Sequence, residues 1–429
     1  MNYQEARNFI DESVRYGGEV GLGKISRLLD YLGHPEEDLT FIHIAGTNGK
    51  GSVLSYVSTT LSLAGYRTGR YISPTLYSYE ERFQIDGQPI SKEDFVCYME
   101  KIILAVRQME EDGYTSPSPF EIETVLSFLY FKEEKCDFVV LECGLGGLED
   151  ATNVIKNTAV AVLTSISMDH MDYLGDTLDA IAKTKSGIIK PGAAVVTAYQ
   201  QEDAMASILE TCRGQGCECV CADGRSAEIL SVKLEEQVFL YKNDRCTLHL
   251  AGVCQVVNAV VAIEVLKALQ KKGYALTDDQ IKAGLSAAKW NGRFTVIHEE
   301  PVFLVDGAHN PDAAKKFAAS MERYFSGKRI IYIIGVFKDK DYEEVIRLTV
   351  PFANEIITIA TPDNPRALDA EVLKCAILKY TDQVTSAASL EDAVKKAFDM
   401  ADPENVIAAF GSLSFIGPMT EIVKNYKNT

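Results

Sequence analysis

Two kinds of apolar pattern alternate along the chain. Short runs such as FIHIA at 41–45 and DFVVLE at 137–142 are largely apolar, which is typical of strands buried on both faces. Between such runs, apolar residues recur every three or four positions, as Val57 and Leu61 do within 50–64, and this is the period of a helix. These patterns predict strands at 41–45, 70–72, 137–142, 159–164, 194–197 and 218–221, helices at 50–64, 92–110, 119–134, 178–189 and 255–270, and a hairpin region at 232–250.

The alternation starts again near residue 302, after the irregular segment WNGRFTVIHEEP at 290–301. Strands that alternate with helices form parallel sheets with crossover helices. We therefore predict an α/β protein with two domains, at 1–294 and 295–429, and a cleft between them. In the second domain the predicted strands are 302–305, 330–335, 355–360 and 405–411, and the predicted helices are 311–323, 341–349, 369–379 and 389–399.

Composition narrows the class of protein. The chain has 429 residues, of which 47% are hydrophobic and 24% charged, as in ordinary globular proteins. Its first residues include acids and form no apolar segment, and no apolar run approaches the roughly 20 residues that span a bilayer, so we expect a cytoplasmic protein without membrane contact. A formal net charge of −18, without a basic stretch, argues against nucleic-acid binding. Any anionic ligand therefore needs a local group of cations.

Four of the ten cysteines lie close together, in CRGQGCECVC at 212–221. The close spacing there is C-x-C, whereas zinc sites usually use C-x-x-C pairs. CECVC is better explained as an alternating strand. Reduced thiols are therefore favoured, and a structural zinc is the alternative.

A glycine-rich loop, GTNGKGS at 46–52, follows the first predicted strand and leads into a predicted helix. Glycines let backbone N–H groups approach phosphate oxygens, the helix N-terminus adds positive potential, and Lys50 adds a charge. The strict pattern G-x-x-x-x-G-K-[ST] is not met, because Ile44 stands at the first-glycine position and Gly51 follows the lysine. We interpret the loop as a nucleotide phosphate site. A glycine-rich turn with a solvated lysine is the alternative.

A Mg²⁺ ion bound with the nucleotide would need ligands other than a hydroxyl directly after Lys50. Ser73, Glu142 and His170 each end or follow a predicted strand, and the carboxyl ends of parallel strands border one crevice. Taken singly, a buried glutamate or a lone histidine is as well explained as a structural partner. Together with the phosphate loop they predict that the first domain is a P-loop-type parallel-sheet ATPase domain. The strand–helix alternation that starts again near residue 302 predicts a smaller Rossmann-like α/β domain after it.

Motifs in both halves of the chain resemble one family. The first half contains AGTNGKGS (45–52), YISP (71–74), LECGLGG and DATN (141–153), DHMDYLGDT (169–177) and KSGIIKPG (185–192). The second half contains GRF (292–294), DGAHNP (306–311), GVFKDKD (335–341), NPRAL (364–368) and GSL (411–413). In this order they resemble the folylpolyglutamate synthase/dihydrofolate synthase family, ATP-dependent amide ligases related to the Mur ligases.

The resemblance implies a reaction and its participants. In that family ATP phosphorylates a carboxylate on a folate or its glutamyl tail, and the amine of glutamate then attacks the acyl phosphate. Such chemistry needs positioning and neutralisation of phosphate charge rather than a protein nucleophile. The implied cofactors are ATP and Mg²⁺. The implied partners are a folate or dihydropteroate and L-glutamate, and we expect the protein to be a monomer.

The resemblance also assigns roles in the first domain. Ser73, Glu142 and His170 would bind Mg²⁺. Lys185 matches a lysine that is carbamylated in the family, which converts a cation into an anion able to coordinate a second metal; an ordinary lysine on a helix surface is the alternative. The residues implied to wrap the ATP phosphates are Thr47, Asn48, Gly49, Lys50, Gly51 and Ser52.

Further matches lie near the domain junction and in the second domain. Asn258, Arg293 and Asp306 match nucleotide contacts, with Arg293 adding charge at the γ-phosphate and Asp306 accepting from the ribose hydroxyls. His309 and Ser412 match positions that face the incoming glutamate. The implied catalytic residues are Lys50, His170, Lys185, Arg293, His309 and Ser412.

The sequence departs from the family pattern at four positions, and one further match concerns the folate side. The SPFEIET motif places Phe120 and Glu121 at a helix start near the folate. Loss of a cation at Leu148, close to an anionic site, would alter substrate preference or even remove full activity; neutral drift is the alternative. The four departures are Thr75 for a histidine, Leu148 for an arginine, Cys254 for a histidine and Asn291 for a proline.

Two other functions are compatible with parts of the sequence. Another Mur-type amide ligase would need a further N-terminal domain to bind a uridine nucleotide, and Gly46 begins the phosphate loop early in the chain. A nucleotide-binding homologue without ligase activity would not need this set of residues together: Lys50, Glu142, His170 and Lys185. Because the reactants would be held by different domains, we also expect closure about the junction at 290–300.

Overall fold

The structure is a computed structural model that describes residues 1–17 and 21–426. Its α-helices are α1 (Tyr3–Glu12), α2 (Gly23–Leu32), α3 (Lys50–Leu63), α4 (Lys92–Glu111), α5 (Pro119–Glu133), α6 (Met171–Leu174), α7 (Leu178–Ser186), α8 (Glu202–Gln215), α9 (Gln255–Lys271), α10 (Asp278–Ala287), α11 (Pro311–Phe325), α12 (Tyr342–Thr349), α13 (Ala370–Ile377), α14 (Leu390–Met400) and α15 (Ile416–Asn425). Its strands are β1 (Phe41–Ala45), β2 (Thr68–Tyr71), β3 (Phe83–Ile85), β4 (Gln88–Pro89), β5 (Phe138–Glu142), β6 (Thr158–Leu163), β7 (Ala194–Ala198), β8 (Cys219–Ala222), β9 (Glu228–Val232), β10 (Gln237–Tyr241), β11 (Asp244–Leu248), β12 (Thr295–Glu299), β13 (Val302–Asp306), β14 (Ile330–Ile334), β15 (Glu355–Thr358), β16 (Val384–Ser386) and β17 (Val406–Phe410).

The first large sheet has the strand order β4-β3-β2-β5-β1-β6-β7-β8. Its strands are parallel from β2 to β8, and β3 and β4 are added as an antiparallel edge. Every residue of β1 is buried because helices cover both faces of the sheet. Phe41 packs in the cluster that includes α4 and α5, whereas Ile42 and Ile44 pack with α3 and α9. The parallel-sheet domain predicted from the sequence is confirmed.

A small antiparallel sheet, in the order β11-β10-β9, follows the first large sheet along the chain. Strands β10 and β11 form the hairpin that the sequence predicted, and β9 pairs with the other side of β10. Phe239 and Leu248 of this sheet belong to the same buried cluster as α9. The small sheet therefore extends the first core rather than forming a core of its own.

The second large sheet has the order β12-β13-β17-β14-β15-β16. It is parallel apart from β12, which pairs antiparallel with β13. Buried side chains on one face pack against α11, α12 and α13, and those on the other face pack against α14 and α15. This doubly wound arrangement is the second, smaller α/β domain that the sequence predicted.

The chain passes from the first half to the second between α10 and β12. The Phe294 ring lies 5.4 Å from the Tyr324 ring and 6.0 Å from the Phe317 ring, so its side chain packs with the second half. We keep the division between 294 and 295 as a proposal, with Phe294 at the border.

Several elements differ from the sequence prediction. The strand predicted at 218–221 lies at Cys219–Ala222, and the strand predicted at 70–72 begins earlier, at Thr68. The helices that were not predicted are α1, α2, α6, α8, α10 and α15. The apolar stripes of α1, α2 and α10 are short and interrupted by charged residues, so that packing against the rest of the fold decides whether these helices form.

Candidate active site

One cleft contains every residue to which the sequence analysis gave a metal, nucleotide or glutamate role. It is formed by loops from both halves of the chain and has a volume of about 510 Å³. The predicted residues that line it are Thr47, Asn48, Gly49, Lys50, Gly51, Ser52, Ser73, Glu142, His170, Lys185, Asn258, Arg293, Asp306, His309 and Ser412.

The cleft is cationic although the whole chain is strongly acidic. Six lysine or arginine side chains line it, against three carboxylates. This is the local concentration of cations that an anionic ligand requires on a chain of net charge −18. The cations are Lys50, Lys185, Arg293, Lys316, Lys340 and Arg366, and the carboxylates are Glu142, Asp169 and Asp306.

Lys50 is the first residue of α3 and lies at the centre of the phosphate loop. Its Nζ lies 3.2 Å from the carbonyl oxygen of Gly46 and 3.4 Å from that of Thr47. Gly49 occupies the N-cap position, and no side chain caps the helix. An uncapped helix N-terminus next to a lysine is well suited to hold a phosphate group.

Two glycines allow the phosphate loop to pack tightly against its neighbours. Gly49 has φ 93°, and a Cβ there would lie 2.5 Å from Oδ1 of Asn258. Gly46 has φ 149°, and its Cβ would lie 1.9 Å from Oγ1 of Thr164. A side chain at either position would displace the loop. Glycine is therefore required at both positions for the backbone conformation and for the close contacts with α9 and the end of β6.

Glu142 ends β5 at the floor of the cleft. The backbone N–H of Ser73 donates to its Oε2 at 3.5 Å, and Nζ of Lys50 lies 4.0 Å from Oε1. Burial raises the pKa of Glu142, while the charge on Lys50 acts in the opposite direction. These contacts are long, so the negative charge of the buried carboxylate is only weakly compensated. A bound divalent cation would stabilise it, and Glu142 therefore suits a metal site.

His170 lies at the same cleft, in the loop between β6 and α6, but its contacts differ from those of Glu142. Its Nε2 lies 3.3 Å from Nζ of Lys340 and 3.9 Å from Oδ1 of Asp169. Burial lowers the pKa of His170, with Asp169 acting in the opposite direction. The neutral imidazole is the form that binds a metal.

Lys185 is buried on α7, with 5% of its surface exposed. Its Nζ donates to the carbonyl oxygen of Gly46 at 3.2 Å, so the side chain contacts the phosphate loop directly. Burial lowers the pKa of Lys185 to about 8, and the neighbouring charge on Lys50 acts in the same direction. This environment is not that of a solvated lysine on a helix surface.

In the second half, Asp306 is the last residue of β13. Its Oδ2 accepts from the backbone N–H of Phe294 at 2.7 Å, and its Oδ1 accepts from that of Ala308 at 2.7 Å. Burial raises the pKa of Asp306, and the charge on Arg293 acts in the opposite direction. The carboxylate is held rigidly, with lone pairs left to accept from a ligand.

His309 and Ser412 line the cleft from the loops after β13 and β17. Nδ1 of His309 lies 2.8 Å from the carbonyl oxygen of Gly307, and burial lowers the pKa of this histidine to about 4. Oγ of Ser412 lies 2.7 Å from Oγ of Ser414. Both groups are fixed by local hydrogen bonds, and His309 is neutral at physiological pH.

The sequence analysis assigned no role to several polar residues that connect the two halves at this cleft. Asn48 Nδ2 donates to Oδ1 of Asn310 at 3.2 Å, and Asn310 Nδ2 donates to Oδ2 of Asp169 at 2.9 Å. Lys340 pairs with Asp169. Asp169, Asn310 and Lys340 each lie in a motif that was quoted for the family resemblance. The type of a residue does not reveal its partner in the other half of the chain, so these contacts were missed.

The folate-side match and the four departures occupy different surroundings. Helix α5 starts beside Phe120, as predicted, but Glu121 is engaged in its capping box, accepting from the backbone N–H of Ser118 at 2.7 Å. Leu148 is 55% exposed and does not line the cleft. Of the other departures, Thr75 and Cys254 line the cleft.

Two family models match the chain in the two parts that the fold defines. The Mur ligase middle domain matches residues 44–266, and the Mur ligase glutamate ligase domain matches residues 292–413. The dihydrofolate synthase/folylpolyglutamate synthase of Bacillus subtilis is 34% identical over 98% of this chain and 99% of the relative. The chain belongs to the folylpolyglutamate synthase/dihydrofolate synthase family of Mur ligases.

Solved structures of this family have the same fold. Folylpolyglutamate synthase of Mycobacterium tuberculosis complexed with ADP superposes with a TM-score of 0.89 at 30% identity, covering 100% of both chains. Escherichia coli FolC in complex with DHPP and ADP superposes with a TM-score of 0.86 at 27% identity, over 99% of this chain and 98% of the other. The family resemblance and the two-part α/β architecture expected from the sequence are therefore confirmed.

Among residues 1–17 and 21–426, the cysteine-rich segment provides no group of metal ligands and no helix provides a membrane span. Within 1–17 and 21–426, one group of histidine, cysteine, aspartate and glutamate side chains is close enough to share a metal, and it consists of His34, Glu36 and Glu37, outside the cleft. The cysteines at 212–221 form no such group, and Cys219 and Cys221 lie on β8, as the alternating pattern predicted. Over the same residues, no helix has the length and apolarity needed to cross a membrane.

Proposed function

We propose that this chain is an ATP-dependent ligase that adds L-glutamate to tetrahydrofolate through an acyl phosphate. The observation that carries the proposal is that the phosphate loop of the first half and the glutamate-ligase loops of the second half line one cationic cleft. Dihydropteroate is the second acceptor to be tested, because relatives include enzymes named for both activities.

The chain's own side chains account for the handling of ATP. The phosphate loop and Lys50 hold the phosphates, and Arg293 adds a charge from the junction between the halves. Asn258 and Asp306 bind the nucleoside end. Neutralising the phosphate oxygens makes the γ-phosphorus accessible to a carboxylate nucleophile, which is the main electrostatic requirement of phosphoryl transfer.

A divalent cation fits the donors at the floor of the cleft. Ser73, Glu142 and His170 offer a hydroxyl, a buried carboxylate and a neutral imidazole. When bound there, Mg²⁺ would neutralise charge on the ATP phosphates. We further propose that Lys185 is carbamylated, because a lysine with a pKa of about 8 is much more often unprotonated, and hence reactive towards CO₂, than an ordinary lysine.

Glutamate is assigned to the second-half side of the cleft. His309 is neutral at physiological pH, so one ring nitrogen can accept a proton or a hydrogen bond. Ser412 offers a hydroxyl that lines the same cleft. The amine of glutamate must lose a proton as it attacks the acyl phosphate, and closure of the cleft would keep water from that intermediate.

One assay tests the proposed function against its alternatives. Purified protein is supplied with ATP and labelled glutamate, and tetrahydrofolate or dihydropteroate is added separately. Release of ADP that requires both a folate-type acceptor and glutamate supports the ligase. Release of ADP with a Mur-type nucleotide-sugar peptide instead would favour another amide ligase, and nucleotide binding without turnover on any acceptor would favour a catalytically silent homologue.

Glu142→Gln is expected to raise the Mg²⁺ concentration for half-maximal activity by about tenfold or more, because the neutral amide is a much poorer ligand for a hard cation. The measurement is a Mg²⁺ titration of turnover at saturating ATP. Glu264→Gln is a matched control, since Glu264 is also a buried carboxylate but pairs with Lys242 at 2.8 Å outside the cleft. Identical Mg²⁺ dependence in wild type and Glu142→Gln would refute the assigned metal site.

A cytoplasmic location and a monomeric state remain parts of the proposal. The molecule needs no nucleic-acid or membrane partner for the reaction described. Size-exclusion chromatography with light scattering measures the oligomeric state, and a stable dimer would contradict the monomer.

A further inference from the structure

A single carboxylate of the first half gathers three polar groups of the second half at the mouth of the cleft. Oδ1 of Asp169 accepts from Nζ of Lys340 at 2.6 Å. Its Oδ2 accepts from Nδ2 of Asn310 at 2.9 Å and lies 3.8 Å from Nε2 of His309. Asp169 and Lys340 are separated by 171 positions in sequence, so this ion pair joins the first half of the chain to the second.

The Asp169–Lys340 pair is largely withdrawn from solvent. The Asp169 side chain is 8% exposed and that of Lys340 is 10% exposed. Ion pairs at such depth are strongly coupled, because removal of one partner leaves the other charge without compensation. The pair therefore differs from the exposed ion pairs on the outer helices, whose contributions are small.

A second bridge runs from the phosphate loop itself. Nδ2 of Asn48 donates to Oδ1 of Asn310 at 3.2 Å and to Oδ2 of Asp312 at 2.8 Å. Asn310 is also the N-cap of α11, and its Oδ1 accepts from the backbone N–H of Ala313. Asn310 thus contacts both the phosphate loop and Asp169, so the position of α11 is tied to the position of the phosphate loop.

The contacts at another part of the interface are of a different kind. The backbone N–H of Gly252 donates to the hydroxyl of Tyr324 at 3.2 Å, and that of Val253 donates to Oγ of Ser320 at 3.1 Å. These neutral bonds lie close to the chain crossing, since a Cβ on Gly252 would lie 3.7 Å from Cβ of Phe294. The charged contacts of Asp169 instead involve the loops after β13 and β14.

We propose that Asp169 is a positioning residue which, through Lys340 and Asn310, docks the glutamate-ligase half onto the phosphate loop. This inference rests on the proposed function, because glutamate transfer is the activity that docking would support. Asp169 acts through the residues that it holds and does not itself touch a reacting atom. The first half provides most of the nucleotide contacts. Loss of the Asp169–Lys340 ion pair should therefore weaken nucleotide binding much less than it lowers turnover.

The test uses the full chain with Asp169→Asn, Lys340→Met and the double variant. Each single variant is expected to lower kcat for glutamate transfer by about 10-fold to 100-fold, since a buried charge-assisted contact is lost. The double variant should be little worse than either single variant, because the two residues act as one unit. The dissociation constant for ADP should change by less than about threefold. Small-angle scattering with ADP should give a larger radius of gyration for all three variants than for wild type.

Two further lysine substitutions show whether the effect belongs to docking or to any loss of a charge. Lys379→Met removes an exposed lysine that pairs with Glu343 at 3.0 Å, and it should leave kcat and the radius of gyration unchanged. Lys340→Arg keeps the charge and should recover part of the lost turnover.

Several outcomes would overturn the proposal. Full activity in Asp169→Asn with loss in Lys340→Met would mean that Lys340 acts on a ligand by itself. Loss of ADP affinity in parallel with turnover would assign Asp169 to the nucleotide or metal site. An unchanged radius of gyration in inactive variants would exclude docking. If wild type fails to transfer glutamate at all, the proposed function fails, but scattering and ADP binding still report whether the pair holds the halves together.

Discussion

Replacement of Lys50 by methionine is expected to lower kcat by about 100-fold to 1,000-fold, the range found when a preorganised electrostatic group is removed from a reaction centre. Lys50 opens α3 and lies within reach of two carbonyl oxygens of its own loop. In the presence of ATP its charge would instead be available to the phosphates, where negative charge is concentrated. Without this charge, the negative charge of the phosphates is less well neutralised and phosphoryl transfer becomes slower.

The same substitution should leave the fold intact. The Lys50 side chain is 19% exposed, and the carbonyl oxygens of Gly46 and Thr47 lie at the cleft, where water can replace the ammonium. Because the charge on Lys50 lowers the pKa of Lys185, its removal should also raise that pKa. Thermal unfolding within a few degrees of wild type, together with the loss of turnover, is the expected pair of results.

Steady-state kinetics at saturating ATP and a thermal melt provide these two measurements. Lys101→Met is a suitable control, because Lys101 pairs with Glu133 at 2.6 Å on the outer surface of α4. Near-normal turnover of Lys50→Met would remove the basis for the phosphate loop. A collapse of stability would instead assign Lys50 a structural role.

The sequence predicted that Lys50, Glu142 and His170 lie close together, because each ends or follows a buried strand. In a parallel sheet the ends of β1, β5 and β6 meet at one edge, so Lys50, Glu142 and His170 could be placed near each other before any coordinates were known. Predictions of this kind depend only on recognising the strands and their direction. Asp306, the last residue of β13, was instead assigned by the family resemblance.

Contacts between the halves could not be predicted in this way. Nothing in DHMD indicates that Asp169 meets Lys340, because that contact depends on how two separately formed sheets are oriented. For Glu121 the family match gave only a helix start near the folate side, and it did not show that the carboxylate takes part in the capping box of α5.

Lys185→Met is expected to abolish most activity and yet to stabilise the protein. Lys185 is 5% exposed, and burial lowers its pKa to about 8, compared with about 10.4 for an unperturbed lysine. A difference of this size corresponds to roughly 3 kcal/mol of unfavourable free energy for keeping the charged form in the folded state. Methionine has a similar length and carries no charge, so the penalty is removed and Tm should rise by several degrees.

The pH dependence of this stabilisation has a defined direction. Below pH 8 both the folded and the unfolded wild type carry the proton on Lys185, and the full penalty is present. Between about pH 8 and 10.4 the folded state loses the proton while the unfolded state keeps it, so the wild type becomes more stable relative to the variant. The advantage of Lys185→Met should therefore be largest at neutral pH and should disappear above about pH 10.4.

The reason for retaining such a costly lysine is its chemistry. At pH 7 about one lysine in ten is unprotonated when the pKa is 8, compared with about one in 2,500 when it is 10.4. The unprotonated amine can form a carbamate with CO₂, whose negative charge would lie close to the cationic Lys50 and be stabilised there. Wild-type activity should thus rise with added bicarbonate, and a labelled carbamate should be visible by carbon NMR, whereas Lys185→Met should show neither response. Turnover of the variant within about threefold of wild type would contradict the catalytic role, and an unchanged Tm at pH 7 would contradict the burial penalty on the charged lysine.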